Sequence, residues 1–353
     1  MAIQKMDLAT DDTLKDIAVS LRTLAGLNVS DIVDIRQVKA IVQAKKEKEV
    51  FQVGDQLCVP WTDVVTGITY NAVMDIVHFG NAELKGGETV NAMYLQWHYT
   101  TPFVIQFDAP EAEKATESTF LEKYNYYTKN SNGSFKLETV VTGSQIPSDK
   151  TYYHNEIKDS TGDICRYGYN RWSHSAIRQW LNSDKAKGEW WSAQHLGDVA
   201  PGQATTKAGF LTGFNDDFLS CLTPVKVVTT TNAVSEPDKS VQDITYDKMF
   251  LPSMEQMYCA PEANGEGEYF EYWKKATGRS SPCAQFGTYP ELIMYDIANH
   301  KAARSTCVRS VRRGNTFYVW KLSSSGAVNS LHVYNNMNYA PVCAITGDTI
   351  KNL

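Results

Sequence analysis

Near residue 50 the apolar spacing of this 353-residue chain changes period, and that change restricts its fold more than any other feature. Before it, Leu14, Ile17, Leu21 and Leu24, then Ile32, Ile35, Val38 and Val42, recur at intervals of three and four, one face of a helix in each case. Asp11 and Asp12 favour the first N-terminus, Gly26 and Asn28 break the pattern, and Ser30 can cap the second helix. The second helix ends in the charged run 45–49, which reads as a solvated face. After it, Phe51, Val53, Leu57 and Val59, and later Met93, Leu95 and Trp97, fall at mostly even spacing, the mark of half-buried strands. Two short amphipathic helices cannot bury their stripes alone, so they must dock on the body of the chain or on neighbouring copies.

The expected class is α+β, in three parts. Residues 1–49 are a helical segment suited to attachment or oligomerisation. Residues 50–110 are a small all-β sandwich or barrel, and 111–353 form a larger mixed domain. In the larger part, 109–130 favours helix, with Pro110 in its first turn. Asn132-Gly133 signals a hairpin, GFLTGFNDDF (209–218) a packed loop, and 229–240 a polar loop. No fixed-period repeat is present, which argues against a solenoid or propeller.

Composition excludes several classes. With 42% hydrophobic and 21% charged residues the chain is an ordinary globular one. No apolar run approaches the roughly 20 residues of a membrane span. The start, MAIQKMDLATDD, lacks the cationic and apolar regions of a secretory signal. Net charge is −6 and the basic residues form no stripe, so nucleic acid is not an expected partner. The seven cysteines (58, 165, 221, 259, 283, 307, 343) have no CxxC spacing, and free, mostly buried thiols are expected.

Motifs for catalysis are absent. There is no phosphate-binding loop, HExxH, GxSxG or EF-hand, and GEGEYF (265–270) lacks a third glycine and carries two Glu. His78 and His98 have no third ligand near them and read as structural. Asp216-Asp217 reads as a solvated loop or a helix cap, and Cys307 as a buried thiol. In the segment 166–191, Ile177, Trp180 and Leu181 make a helical stripe that Ser173 or Ser175 could cap, and its tryptophans read as core.

The segment 309–345 interleaves Val311, Val319, Trp320, Leu322, Val328, Val333, Val342 and Ile345 with Asn, Ser, Tyr, Phe and His. This is the palette of an adaptable binding surface, and equally that of a loop-rich sheet edge. The runs YGYNRWSHSAIRQWLNS, GFLTGF, LPSMEQMY and RSVRRGNTFYVWKLSSSGAVNS…APVCAI resemble the formylglycine-generating-enzyme type of C-type lectin fold. More narrowly they are similar to the variable proteins of phage and bacterial diversity-generating retroelements. The likeness covers roughly residues 150–345, and FQVGDQLCVPW and HYTTPFVIQFDAPEA are similar to the leading part of such proteins from gut phages.

The resemblance implies a C-terminal C-type lectin fold behind the helices and the β-module, with a variable segment over about 312–345. It implies a non-enzymatic receptor-binding protein of a virion or tail fibre, made in the bacterial cytoplasm. Its partners would be a host cell-surface protein or glycan, other virion proteins through the N-terminal region, and further copies of itself, as in a trimer. Ligand-contacting residues would be Phe317, Tyr318, Asn329, Ser330, Leu331, His332, Tyr334, Asn335, Asn336, Asn338 and Tyr339, exposed together on one face. Family members rewrite adenines of asparagine codons, a change that cannot produce Trp, Lys or Met, so Trp320, Lys321 and Met337 would be fixed frame. The calcium-binding EPN and WND runs of sugar-binding lectins are missing, and Cys307 and Cys343 are 36 apart, unlike the close cysteines of the enzymes. No cofactor or metal is therefore expected. The alternatives are an enzyme of the formylglycine-generating type and a purely structural virion protein.

Overall fold

The computed structural model describes residues 34–112, 114–115, 126–138, 152–154 and 162–348, apart from 196, 237 and 239. The stripe Leu14 to Leu24 lies outside them. Helix α1 (Ile35–Gln43) starts where the Asp34 carboxylate accepts the Arg36 N–H. Ile35, Val38, Ile41 and Val42 are buried, as their spacing requires. They pack into the chain's own core, so this stripe gives no reason to invoke a second copy. Lys39 on the same face is also buried, its ammonium 2.7 Å from the Thr346 carbonyl and 2.7 Å from Asp348 Oδ1. The charged run is not wholly solvated either. Glu47, in the short helix α2 (Glu47–Val50), is buried and accepts from Asn91 Nδ2 at 3.1 Å.

Strands β1 (Gln56–Asp63), β2 (Ile68–Glu83) and β3 (Thr89–Trp97) form an antiparallel meander. Its far edge is covered by β18 (Val342–Thr346), which pairs in turn with β11 (Met249–Phe250). The sheet order is β1-β2-β3-β18-β11. The separate β-unit expected over 50–110 is thus corrected: its last strand is sealed by residues from the end of the chain. An alternating strand announces which face is buried but not which strand lies beside it, and an open edge invites pairing. One core continues across the expected boundary. Trp61, Trp97 and Trp180 surround Phe210, with ring centroids 5.4, 5.1 and 4.9 Å from it.

The helix expected over 109–130 is also corrected where the chain is described. Lys114–Ala115 is strand β5 and Tyr126–Lys129 strand β6. With β7 (Phe135–Glu138) and β8 (Tyr152–His154) they form a four-stranded sheet ordered β5-β8-β6-β7. Strand pairing here overrides a helix-favouring composition. The expected hairpin joins β6 to β7, with Gly133 at φ 84°. Further on come α3 (Ile164–Tyr167) and α4 (Ala176–Leu181), the latter capped by Ser175, whose Oγ accepts the Arg178 N–H. GFLTGFNDDF folds as a 3-10 turn, Phe210–Gly213, followed by α5 (Asp216–Cys221).

The remaining elements are short. β9 (Val225–Thr230) pairs with β10 (Gln242–Asp247), and α6 spans Glu271–Thr277. β12 (Met294–Tyr295) pairs with β13 (Ala303–Arg304). β14 (Thr306–Val311), β15 (Tyr318–Leu322) and β16 (Val328–His332) make a three-stranded sheet. β17 (Asn336–Met337) pairs with β4 (Ile105–Gln106). The molecule is therefore a mixed α+β protein. Among the described residues no helix is long and apolar enough to cross a membrane.

Candidate ligand-binding face

The hairpin β15–β16 is set by its turn. Gly326 has φ +80°, and a Cβ there would meet the Tyr289 carbonyl oxygen at 2.2 Å, so only glycine fits. The pairing Tyr318↔His332, Trp320↔Ser330 and Leu322↔Val328 places these six side chains on one face. Val319, Lys321, Leu331 and Asn329 point the other way. The expected single face is thus divided by the period of the strand. Asn329 and Leu331 lie opposite Tyr318 and His332, and Leu331 packs against the core.

On the first face the rings gather. His332 stacks on Tyr318 with centroids 4.4 Å apart and on Tyr167 at 4.5 Å, nearly parallel at 9°. Tyr334 lies beyond, 5.6 Å from His332 and 5.9 Å from Tyr167. These four rings are half-buried. Phe317 lies against them, 4.7 Å from Tyr167 and 5.0 Å from Tyr318, but is itself only 2% exposed. Two guanidinium groups flank the rings. Arg166 lies 5.0 Å over Tyr167, and Arg312 lies 5.5 Å over Tyr318 and 5.8 Å over Phe286. Arg312 also donates to Ser330 Oγ at 3.3 Å. Burial, and then the Arg166 charge, hold the His332 imidazole below its usual range, so it is neutral near pH 7. A neutral ring tolerates two flanking cations and keeps an acceptor nitrogen.

Three expected contact residues are corrected to frame. Tyr339 is fully buried, its hydroxyl donating to the Ile105 carbonyl at 3.0 Å and its N–H to Thr101 Oγ1 at 3.1 Å. Asn338 is 8% exposed and donates to the carbonyls of Thr101 and Phe103. Phe317 is the third. Asn338 and Tyr339 are buried because the β17–β4 pairing lays residues 336–341 along 97–106, and Phe317 because Tyr167, Tyr318 and His332 cover it. Asn329 and Asn336 are exposed, and Ser330 and Asn335 half-buried. Asn336 Oδ1 accepts from Gln203 at 2.7 Å. Trp320 and Met337, expected as frame, are buried, whereas Lys321 is half-buried.

The sequence reading missed the residues that hold this face from behind. In RYGYN, Gly168 has φ +81°, and a Cβ there would lie 2.8 Å from Val333 Cγ2 and 2.9 Å from the Ala109 carbonyl. That close approach brings Tyr167 over the end of β16. Asn170, fully buried, donates to the Asn315 and Tyr318 carbonyls at 2.8 Å each, and its own N–H donates to Thr316. It clamps the loop before β15. The glycine of the Tyr-Gly-Tyr-Asn run was the available signal, because glycine is the residue that takes positive φ and a close backbone approach.

Other expected sites have structural roles. His98 Nδ1 bonds Asp75 Oδ2 at 2.8 Å, and His78 stacks on Phe270. Asp216 and Asp217 open α5, with Asp217 paired to Arg36. Cys307 and Cys343 stand in different sheets. Burial pushes the Cys307 thiol up to about 12 and Cys343 higher still, so neither is poised as a thiolate.

A mixed α+β frame presenting stacked tyrosines and a histidine between two arginines defines a protein with a built aromatic surface. Residues 148–347, more than half of the chain, match the family described as Domain of unknown function (DUF6273), and the chain belongs to that family. No curated protein and no solved structure matches it.

Proposed function

We propose that the chain is a non-enzymatic ligand-binding protein of the variable retroelement type with a C-type lectin fold, which grips a host cell-surface protein or glycan. The contact surface is Tyr167, Tyr318, His332 and Tyr334, rimmed by Arg166, Arg312, Asn335 and Asn336. One observation carries the reading: the half-exposed rings of Tyr318 and His332 on the hairpin stack with Tyr167 from α3 and Tyr334 just beyond β16, and the hairpin's turn is fixed by the core. Aromatic faces take up the apolar side of a sugar or a partner side chain, and the arginines and amides supply directed hydrogen bonds. Residues 1–33, with the stripe Leu14 to Leu24, attach the protein to a particle and to other copies.

Sequencing this locus from many isolates tests the reading. Changes should concentrate at Tyr318, Asn329, Ser330, His332, Tyr334, Asn335 and Asn336, and spare Phe317, Trp320, Asn338 and Tyr339. Variation spread evenly along the chain, or absent from these positions, would favour the purely structural alternative.

A further inference from the structure

Two of the seven cysteines meet. Cys259 and Cys283 face one another across a parallel β-bridge, with the Ala260 N–H donating to the Cys283 carbonyl and the Cys283 N–H to the Tyr258 carbonyl, both at 2.9 Å. The Cys259 thiol donates to the Met257 carbonyl at 3.6 Å. Facing residues on neighbouring strands lie about 4.8 Å apart, inside the roughly 4.4–6.8 Å that a disulfide spans between Cα atoms. Cys58, Cys307 and Cys343 instead face Val73, Lys321 and Leu95.

Both cysteines are buried, Cys259 1% and Cys283 0% exposed, but their thiols differ in character. The neighbouring Cys259 thiol, and then the charge of Arg279, hold the Cys283 thiol below the ordinary range despite its burial. Cys283 in turn, with burial, pushes Cys259 well up. Cys283 is itself covered, but only by the exposed residues 278–282 and Ala284, whose displacement admits a small disulfide. Cys259 lines a cleft of about 610 Å³ with Tyr258, Glu268 and Pro282. The chain between them, 260–282, carries α6 and the turn at Gly265 and Gly267, both at positive φ. It also supplies Glu266, which accepts from Thr230 and Ser310.

We propose that Cys259 and Cys283 are a redox site: they form a reversible disulfide by exchange with a small-molecule disulfide, and the bond staples the 260–282 loop that walls the cleft. Cys283, as the thiolate, attacks one sulfur of the incoming disulfide, whose S–S bond breaks and releases one thiolate. That thiolate takes up the proton Cys283 gave up. Cys259 then loses its proton and attacks Cys283 Sγ, expelling the second thiolate, which is protonated in turn. Two protein thiols are oxidised and one small disulfide is reduced to two thiols.

The test equilibrates the full-length protein in buffers of graded oxidised to reduced glutathione, followed by alkylation, intact mass and peptide mapping. The expected result is one two-electron transition with the loss of two hydrogen atoms. A single cross-link joins the peptides holding Cys259 and Cys283, and protease cleavage within 260–282 slows once it forms. Cys283→Ser should abolish the transition and leave the other cysteines alkylated as before. The wild-type map is decisive by itself should a variant fail to fold. Alkylation of both cysteines at every buffer ratio, or a cross-link to any other cysteine, overturns the proposal.

Discussion

Tyr334 and Tyr339 are five residues apart in the same Asn- and Tyr-rich run, yet one lies on the aromatic face and the other is fully buried. Truncation should separate them. Tyr339→Ala removes a buried ring and its bond to Ile105, and should cost about 3–5 kcal/mol in urea unfolding. Tyr334→Ser should cost no more than about 1 kcal/mol, the worth of the ring contacts it gives up. The sequence could not distinguish the two, because composition is the same and the difference comes from the β17–β4 pairing. Size was more informative. Trp172, Trp180 and Trp320 were expected in the core and are 0%, 1% and 1% exposed. The Trp172 indole donates to Asp247 Oδ2 at 3.1 Å, and Trp172→Ala should also cost about 3–5 kcal/mol.

Between elements, charge does what apolar spacing cannot announce. Helix α1 was legible from its stripe, but the tie that fixes its place, Lys39 to Asp348, spans 309 residues and leaves no local trace. Lys39→Ala leaves the Asp348 carboxylate without its ammonium and should cost about 3–5 kcal/mol, measured by thermal or urea unfolding. A second junction joins the end of the β4 segment to His195 and Asp198. His195 Nε2 bonds Glu111 Oε1 at 2.7 Å, with Asp108, Asp198 and His174 close by. Burial pulls the imidazole down, but the charge and hydrogen bond of Glu111, then Asp198 and Asp108, outweigh it and raise it to about 9. Burial also pushes the Asp108 carboxyl well up. A raised histidine stabilises the fold fully below its unfolded value of about 6.5 and loses that contribution as pH rises through about 9. The raised carboxyl also costs stability as pH rises, but from its unfolded value of about 3.9 upward. The urea midpoint should therefore fall between about pH 6.5 and 9, and His195→Gln should flatten that decline. On the acid side, Asp243 and Asp348 are held low, despite burial, by Arg171 and by Lys39, and their contribution is lost as pH falls through their lowered values.

At the scale of the molecule, the sheet order decides what folds alone. The family match begins at residue 148, yet β18 inside it pairs with β3 outside it. A fragment of residues 148–347 would expose that edge and strip Trp61 and Trp97 from around Phe210. It should express insolubly or show no cooperative melting transition, while residues 34–348 melt cooperatively. The α+β class and most core aromatics were legible in the sequence. The closure of the first sheet by the last strand was not, because pairing across some 250 residues has no local signature. The most direct measurement of the central claim is binding by the triple variant Tyr318→Ser, His332→Ser, Tyr334→Ser. The wild-type protein and the variant are applied to intact cells of candidate hosts and to glycan and surface-protein arrays, with melting temperature measured in parallel. The wild-type protein should bind, and the variant should lose that binding while melting within a few degrees of the wild type. A variant that unfolds, or one that binds as the wild type does, contradicts the claim.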